Sequence, residues 1–334
     1  MARIRKVGYF DKYRLKKMIS FLSSDAINNY TKVFMHFPFN IIHDLLPLSL
    51  KFMPESFVLA EDNDIIGAIT VSPNEGNPFK LNISRLFLEQ NYFNVGKQLI
   101  EFIIAKYGAK GAEEFISKID DSNTELLDLF TEGCGFRQCS CEQLWKMETI
   151  RFTKTDSTFF RPFKNSDAQA IAMIFNDSIN SHFKHSLSKT KNEYKDPLFQ
   201  GLNNSYNFKY VVEDPNLKTI HAYFSLTTTD NFNYILDITD SNWYECSLDD
   251  IFEFAINQIT KRKKDFCLFV RLKKYSIKAE NFEKYLIEKG FYCVQNQLLL
   301  VKDFYKLIKE PELTRKILLF NEISEKPVFK GYYE

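Results

Sequence analysis

The spacing of hydrophobic positions along the first 150 residues predicts an ordered series of strands and helices. Strand-like patterning occurs at 3–7, 56–61, 65–72, 79–88, 114–119 and 136–147. Helical spacing occurs at 11–22, 39–52, 94–108 and 123–132. Asn123 is a suitable N-cap for the last helix. The resulting order, β-α-α-β-β-β-α-β-α-β, predicts an α/β fold with a mixed sheet and helices on both faces.

The second half of the chain repeats features of the first. Three pairs of similar segments begin at Ile4 and Phe160, at Phe57 and Tyr210, and at Gly135 and Gly290. The pairs keep one order and lie 153–156 residues apart, which indicates two copies of one fold. We predict a first domain at 1–150, a second at 157–310 and a C-terminal tail at 311–334. The join falls at the polar, turn-prone residues 149–157.

Charge and composition narrow the range of partners. The 334 residues include 44 Lys and Arg against 43 Asp and Glu, which gives a net charge of +1. This balance argues against nucleic acid or an anionic membrane as the main partner. No apolar run reaches the roughly 20 residues of a membrane-spanning helix, and no apolar signal core follows the basic N-terminus. The six Cys lack zinc-like spacing, so we expect no metal site. Because no export signal is found, we expect a cytoplasmic protein with reduced thiols.

The stretch from Leu86 to Lys97 joins a predicted strand to a predicted helix. The first N–H groups of a helix have no partner within the helix, and together with the helix dipole they attract phosphate oxygens. Gly96 would allow a ligand to approach the backbone closely, and Asn94 tolerates a positive φ better than most residues. By themselves these features also fit an ordinary turn between a strand and a helix.

The element order, this turn and Gly135-Phe136 together resemble the GNAT superfamily of acyl-CoA-dependent N-acyltransferases. The phosphate loop of that family reads Arg/Gln-x-x-Gly-x-Gly/Ala. The matching positions here are Asn91, Asn94 and Gly96, of which only the glycine follows the family pattern. Asn123 resembles the family's asparagine that contacts the pantetheine arm. The resemblance implies two tandem GNAT-like domains, each with a mixed, mostly antiparallel, twisted sheet.

The resemblance also implies where the acyl donor binds. In the family, strand four splays away from strand five, and the pantetheine chain pairs with the exposed strand edge. The cofactor-binding residues implied here are Leu86, Phe87, Leu88, Asn91, Asn94, Val95, Gly96, Lys97 and Asn123. We expect acetyl-CoA as the acyl donor and a small-molecule or peptide amine as the acceptor, which attacks the thioester directly.

The catalytic residues are not identified by the same comparison. The family often places a Glu on strand four, but residues 80–88 contain no acid. The family's usual Tyr falls on Phe130 when counted from Asn123 and on Thr131 when counted from Gly135, and neither is a phenol. The remaining candidates for a general base are Glu61, His43 and Glu89.

The second copy departs further from the family pattern. Three acids, Asp240, Glu245 and Asp249, lie where phosphates would bind, and no glycine occurs there. Like charges oppose anion binding, so we expect this copy to have lost its cofactor site. Tyr285 lies near the family's acid position, and Ser247 is the expected cap of the helix that follows the acids.

Three functions remain after these steps. The leading hypothesis is an acetyl-CoA-dependent N-acetyltransferase in which the first domain holds the cofactor. The alternative is a non-catalytic acyl-CoA-binding or protein-interaction relative of such enzymes. Aminoacyl transfer from a charged RNA, as in tandem relatives that build cell-wall peptides, is disfavoured by the balanced charge.

Overall fold

The computed structural model describes residues 2–8, 10–11, 13–15, 54–61, 64–74, 77–88, 92–147, 159–196, 206–228, 230–244 and 246–304. The predicted helix at 39–52, most of the one at 11–22 and the predicted tail lie outside these residues, as do His43, Glu89 and Asn91. The chain divides into two units, Met1–Asp303 and Phe304–Glu334. All elements below belong to the first unit.

The first half supplies six strands of the described part of the chain. They and the helices between them are β1 (Arg3–Lys6), β2 (Glu55–Glu61), β3 (Asp64–Asn74), β4 (Asn77–Leu88), α1 (Tyr92–Gly108), β5 (Glu114–Asp120), α2 (Thr124–Asp128), a π turn (Leu129–Gly133) and β6 (Arg137–Met147). The predicted strands and the helix at 94–108 are confirmed to within two residues at each end. The predicted helix at 123–132 is α2 together with the π turn.

The second half repeats this order. Its elements are β7 (Phe160–Pro162), α3 (Ala168–Ser178), α4 (Lys184–Leu187), α5 (Lys191–Tyr194), β8 (Tyr206–Glu213), β9 (Ile220–Thr228), β10 (Asn233–Asp240), α6 (Leu248–Thr260), β11 (Cys267–Lys273), α7 (Ala279–Glu288) and β12 (Phe291–Asp303). As predicted, Ser247 caps α6, because its side chain accepts a hydrogen bond from the Asp250 N–H. No helix in the described residues is both long enough and apolar enough to cross a membrane.

All the described strands join one mixed sheet. Their order is β1-β2-β3-β4-β5-β12-β6-β11-β10-β9-β8-β7. The pairs β4–β5 and β10–β11 are parallel, and the other pairs are antiparallel. This is the mixed, mostly antiparallel sheet that the sequence predicts.

The two halves exchange their last strands. β12 lies between β5 and β6, and β6 lies between β12 and β11. The final strand of each half therefore pairs with the fifth strand of the other half. The predicted division at 149–157 separates the copies in the sequence, but the sheet runs through both of them without a break.

Matching hydrogen bonds at the start of each half support the internal repeat. Arg5 donates to Asp11, with a distance of 2.8 Å between Nη2 and Oδ1. Arg161 donates to Asp167, 156 residues further along, with 2.7 Å between Nη1 and Oδ2. In both halves the same carboxylate accepts a 2.8 Å bond from the backbone N–H three residues before it. These charge-assisted bonds fix the turn between the first strand and the helix that follows.

Helix α1 packs closely on the strands of the first half. Leu99 and Ile103 are fully buried in one cluster with Phe57, and burial of such side chains is the main favourable term in folding. A Cβ at Gly67 in β3 would lie 2.8 Å from Val95 Cγ1, so only glycine allows α1 to approach this closely. The packing fixes the start of α1 beside the end of β4.

Candidate functional site

β4 and β5 are paired at one end only. Their parallel pairing covers residues 80–82 and 114–116, after which β4 continues to Leu88 and β5 to Asp120. Just beyond the last pair, Ser117 Oγ donates to the Ile83 carbonyl at 3.2 Å. The two strands therefore diverge, as the family resemblance implies. This edge of β4 is no longer satisfied by β5 over residues 84–88, and backbone N–H and C=O groups require partners.

β4 also carries a bulge where it leaves β5. Thr70 lies opposite Arg85 and Val71 opposite Ile83, so Ser84 is an extra residue in β4. A bulge interrupts the hydrogen-bond ladder and bends the strand. Ser84 itself is exposed. The bulge therefore places backbone groups without ladder partners next to the splay.

The side chains at the end of β4 are occupied in packing. Leu86 and Leu88 belong to the cluster beneath α1, and Phe87 packs with Val58 and its neighbours on the other face. A ligand at this edge would therefore contact mainly the backbone of these three residues. Arg85, which is not among the predicted site residues, is a half-buried cation that interrupts an apolar strand. Burial lowers the pKa of Arg85 to about 10, which leaves it charged at neutral pH.

The described residues at the start of α1 carry no negative charge. Its first turn contains no acidic residue, and Asn94 is exposed there. Lys97 lies one turn further on and is half-buried, with Nζ 3.8 Å from Glu101 Oε1. Phe93 is 44% exposed and directs its ring toward Gly133. The first N–H groups of α1 and the helix dipole therefore favour an anion at this end.

Gly96 has a structural role that the sequence did not reveal. It is buried, and a Cβ at this position would lie 2.4 Å from Leu129 Cδ2 and 3.0 Å from Leu88 Cδ1. The close approach at Gly96 is therefore made by Leu129 of the π turn. Contact of Gly96 with a phosphate remains a prediction.

Gly96→Ala is expected to destabilise the protein by about 1–3 kcal/mol, because the added methyl overpacks the contact with Leu129. Urea unfolding measures the change. Gly108→Ala is the matched control, since it lies in the same helix with no atom within 4 Å of the added Cβ, and it should be neutral or slightly stabilising. Equal effects of the two substitutions would contradict the packing role.

Asn123 occupies the turn between β5 and α2. Its Oδ1 accepts a hydrogen bond from the Leu126 N–H at 3.1 Å, which makes it the N-cap that the sequence predicts. The residue is exposed. Because the cap uses only the carbonyl oxygen, the amide nitrogen of the same side chain remains available to a ligand.

The positions where the family has its acid are unsuited to that role. Phe130 is buried edge-on against Phe136, with 5.0 Å between the ring centroids. Thr131 Oγ1 donates to the Leu127 carbonyl at 2.8 Å. A π turn holds one residue more than an α turn, which explains why counting from the two ends of this element gives different residues. Burial raises the pKa of Cys134 to about 11, so its thiol is protonated and unreactive.

Glu61 is the one predicted base in the described residues. It is exposed at the end of β2, opposite Asp64. Gly67 of β3 pairs with Leu59 on one side and Leu88 on the other, so Glu61 shares a sheet edge with Leu88 two strands away. At the usual strand spacing the backbones of Leu59 and Leu88 are about 10 Å apart, and Glu61 lies two residues further along β2. Among the described residues, no three His, Cys, Asp or Glu side chains are grouped to hold a metal.

The corresponding splay in the second half is filled by lysines. β10 and β11 are paired over residues 233–237 and 267–271 and then diverge. Lys273 Nζ lies 3.4 Å from the Ile238 carbonyl. Lys278 Nζ donates to Asp240 Oδ2 at 2.6 Å and to the Ser241 carbonyl at 2.5 Å. These ammonium groups occupy strand-edge carbonyls that a pantetheine arm would otherwise use.

A small cavity remains beside these lysines. Its volume is about 120 Å³, below the roughly 300 Å³ at which pockets for small molecules usually begin. Asp249 and Asp250 lie in the first turn of α6, and Asp249 accepts hydrogen bonds from Tyr285 at 2.5 Å and Lys289 at 2.8 Å. Burial and Asp249 raise the pKa of Tyr285. The second half thus combines a filled splay with an acidic helix start.

Comparison with known proteins places this geometry in context. Residues 22–136 match the model of the Acetyltransferase (GNAT) family. No curated protein matches the sequence. The chain is similar in structure to a tandem GNAT protein from the clavulanic acid biosynthesis pathway, at 7% identity and a TM-score of 0.61 over 91% of this chain and 98% of that one. It is also similar to a GCN5-related N-acetyltransferase from Sphaerobacter thermophilus, at 11% identity and a TM-score of 0.57 over 90% and 95%.

The solved structures and the family match support different conclusions about the chain. At 7% and 11% identity, the two solved structures show the fold. Both are covered along nearly their whole length, which confirms two GNAT-like halves in one chain. The family match lies in the half where β4 and β5 diverge beside the start of α1. The chain therefore has the fold of a tandem GNAT protein, and residues 22–136, within its first half, match the GNAT acetyltransferase family.

Proposed function

We propose that this chain is an acetyl-CoA-dependent N-acetyltransferase whose first half holds the acyl donor. The observation that carries the proposal is the contrast between the two halves. In the first half, the diverging strands lie beside a helix start without acids. In the second half, Lys273 and Lys278 fill the splay and two acids begin the helix. Only the first arrangement suits a ligand with a phosphate group and an extended amide chain.

Different residues of the first half bind different parts of acetyl-CoA. Backbone groups of residues 86–88 pair with the amides of the pantetheine chain. The N–H groups at the start of α1, with Asn94 and Lys97 nearby, bind phosphate oxygens. The amide nitrogen of Asn123 donates to the pantetheine arm. Gly96 contributes indirectly, because it lets the π turn close against α1.

The chemistry requires little from side chains. Acetyl-CoA supplies an activated acyl carbon, and a neutral amine attacks it directly. In this proposal, backbone N–H groups at the bulge around Ser84 have the role of stabilising negative charge on the acyl oxygen. Glu61, the predicted base within the described residues, lies at the other end of β2 from Ser56, which is in register with the bulge. It is therefore too far away to act on an amine at Ser84, and we assign no base. The leaving group is a thiolate, which is much less basic than an alkoxide or an amide anion, so the lack of a phenol at positions 130 and 131 does not prevent the reaction.

The same positions favour a second candidate function. Phe130 is buried, Thr131 is bonded to the backbone and Cys134 stays protonated. A protein that binds acyl-CoA without transferring the acyl group would have these features too. The two functions predict the same cofactor binding and differ in turnover.

Asn94→Glu is expected to weaken acetyl-CoA binding about tenfold or more, because it places a negative charge among N–H groups that bind phosphate. The same charge favours the helix itself, so the variant should stay folded. Isothermal titration with acetyl-CoA measures the affinity. Asn94→Gln is the matched control, with the same side-chain length and no charge.

The outcomes separate the candidate functions. Weaker binding in Asn94→Glu alone, with turnover of an amine by the wild type, supports the acetyltransferase. The same binding without turnover on a broad panel of amines supports the non-catalytic function. No binding of acetyl-CoA to the wild type at millimolar concentration would reject both.

A further inference from the structure

A strand from the second half follows the edge of the proposed acyl-CoA site. β12 runs antiparallel to β5 from Asp303 opposite Glu114 to Gln297 opposite Asp120. The residues just before Gln297 therefore lie beside the turn where β5 gives way to α2. That turn carries Asn123, the proposed ligand of the pantetheine arm.

Two consecutive side chains of β12 bind this turn. Gln295 Nε2 donates to Asp120 Oδ2 at 2.9 Å. Asn296 Nδ2 donates to Asp121 Oδ2 at 2.6 Å, and its carbonyl accepts a hydrogen bond from the Asp121 N–H at 3.0 Å. The second half thus bonds to both acids that open the turn.

Hydrogen bonds to Asp120 connect this contact to Asn123. The other oxygen of Asp120, Oδ1, accepts a hydrogen bond from the Ser122 N–H at 3.0 Å. The Asp120 carbonyl accepts one from the Asn123 N–H at 3.1 Å. Asn123 in turn caps α2. A continuous series of hydrogen bonds therefore links Gln295 to the backbone of Asn123.

β12 also holds the far end of the same element. Lys302 Nζ donates to the carbonyl of Cys134, directly after the π turn. The π turn contributes Leu129, which fills the space beside Gly96 in α1. The second half thus bonds to the two acids before Asn123 and to Cys134 after the π turn. The π turn between them packs against the helix that begins the proposed phosphate site.

We propose that β12 positions the acyl-CoA site of the first half, with Gln295 and Asn296 as positioning residues for Asn123. The inference rests on the proposed function of that site. It gives the second half a role that requires no ligand of its own. A half that has lost its cofactor site still supplies the strand that orders the site of the other half.

The expected effect on binding exceeds the effect on stability. The residues of the turn are exposed, so loss of two side-chain hydrogen bonds leaves the core intact. A displaced Asn123, however, no longer presents its amide to the ligand, and binding depends closely on such placement. Gln295→Ala/Asn296→Ala should therefore weaken acetyl-CoA binding about tenfold in the full chain.

The experiment combines two readouts on the full chain. Hydrogen exchange without ligand measures the order of residues 121–134, and titration with acetyl-CoA measures affinity well below the melting temperature. Asn242→Ala is the matched control, since it removes a 2.7 Å side-chain bond to the Asp177 carbonyl within the second half. We expect faster exchange at 121–134 and weaker binding in the double variant, and neither change in the control.

Each other result overturns the inference. Unchanged exchange at 121–134 would show that β12 does not order the turn, whatever the affinity. Faster exchange with unchanged affinity would show that the turn does not matter for binding. Wild-type protein that binds no acetyl-CoA would reject the proposed function, and the exchange data would identify that failure separately.

Discussion

Residues 1–150 and 151–334, produced as separate chains, are expected to fold only when they are combined. β5 pairs with β4 over residues 114–116 alone but with β12 along its whole length. The first half by itself therefore has a long unpaired strand edge, which promotes aggregation. Co-expression should give a 1:1 complex that unfolds in one transition, and size-exclusion chromatography with thermal unfolding measures both properties.

The packing of the two cores disfavours pairing of each last strand, β6 or β12, with the fifth strand of its own half. Aligning Gly135 with Gly290 places Trp145 opposite Leu300. Leu300 is fully buried in the core of the first half, and Trp145 is buried in the core of the second. Returning β6 to its own half would place a tryptophan where a leucine fits, and such overpacking is costly.

One variant sharpens this test. Trp145→Leu in the isolated first half removes the oversized side chain and should allow some folding without the partner. A monomeric, cooperatively folded first half with Trp145 in place would contradict the prediction. That result would mean that the exchange of strands is not required for either half.

The local elements were predictable because each depends on neighbouring residues. The period of apolar positions is sufficient for β4 and α1, and a side-chain cap is sufficient for the start of α2 at Asn123. The exchange of β6 and β12 was not predictable in this way. The two strands have similar apolar patterns, and periodicity does not determine which fifth strand each one joins.

The candidate site likewise has features that neighbouring residues determine and features that depend on residues distant in the sequence. The start of α1 and the divergence of β4 from β5 follow from local pattern and from the family resemblance. The contact of Gly96 with Leu129 and the lysines in the second splay depend on residues far apart in sequence. Lys278 reaches the Ser241 carbonyl across 37 residues, and no spacing rule connects the two. In the sequence, Gly96 suggests close approach by a ligand. In the structure, the space beside Gly96 is filled by Leu129.

A buried carboxylate joins the halves at the centre of the sheet. Glu142 of β6 accepts hydrogen bonds from Lys118 of the first half at 2.6 Å and from Tyr275 of the second at 2.9 Å. Arg271 Nε lies 3.5 Å from the same carboxylate. Burial alone would raise the pKa of Glu142, but the two cations hold it at about 2.

The pH dependence follows from this pKa. An exposed Glu titrates near 4.5, so the folded state of this protein binds the proton less tightly than the unfolded state. Ionised Glu142 therefore stabilises the fold above pH 4.5, and this contribution is lost as the pH falls toward 2. The shift corresponds to about 3 kcal/mol at neutral pH.

Lys118→Met is expected to destabilise the protein by about 3 kcal/mol at pH 7, because it leaves a fully buried carboxylate with one cation fewer. The difference in the free energy of unfolding between Lys118→Met and the wild type should become smaller as the pH falls toward 4.5. Burial raises the pKa of Glu142 in the variant, so its carboxyl then takes up a proton. Urea unfolding at pH 7 and pH 5 measures both effects. Lys97→Met is the matched control, because it breaks an exposed pair at 3.8 Å and should cost less than about 0.5 kcal/mol.

A second substitution distinguishes a stranded charge from lost packing. Lys118→Met/Glu142→Gln removes the buried charge together with its partner and should be about 1–2 kcal/mol more stable than Lys118→Met alone at pH 7. If the double variant is instead less stable than Lys118→Met, the ionised Glu142 still stabilises the fold through Tyr275 and Arg271. The junction between the halves would then depend on those two contacts more than on the pair with Lys118.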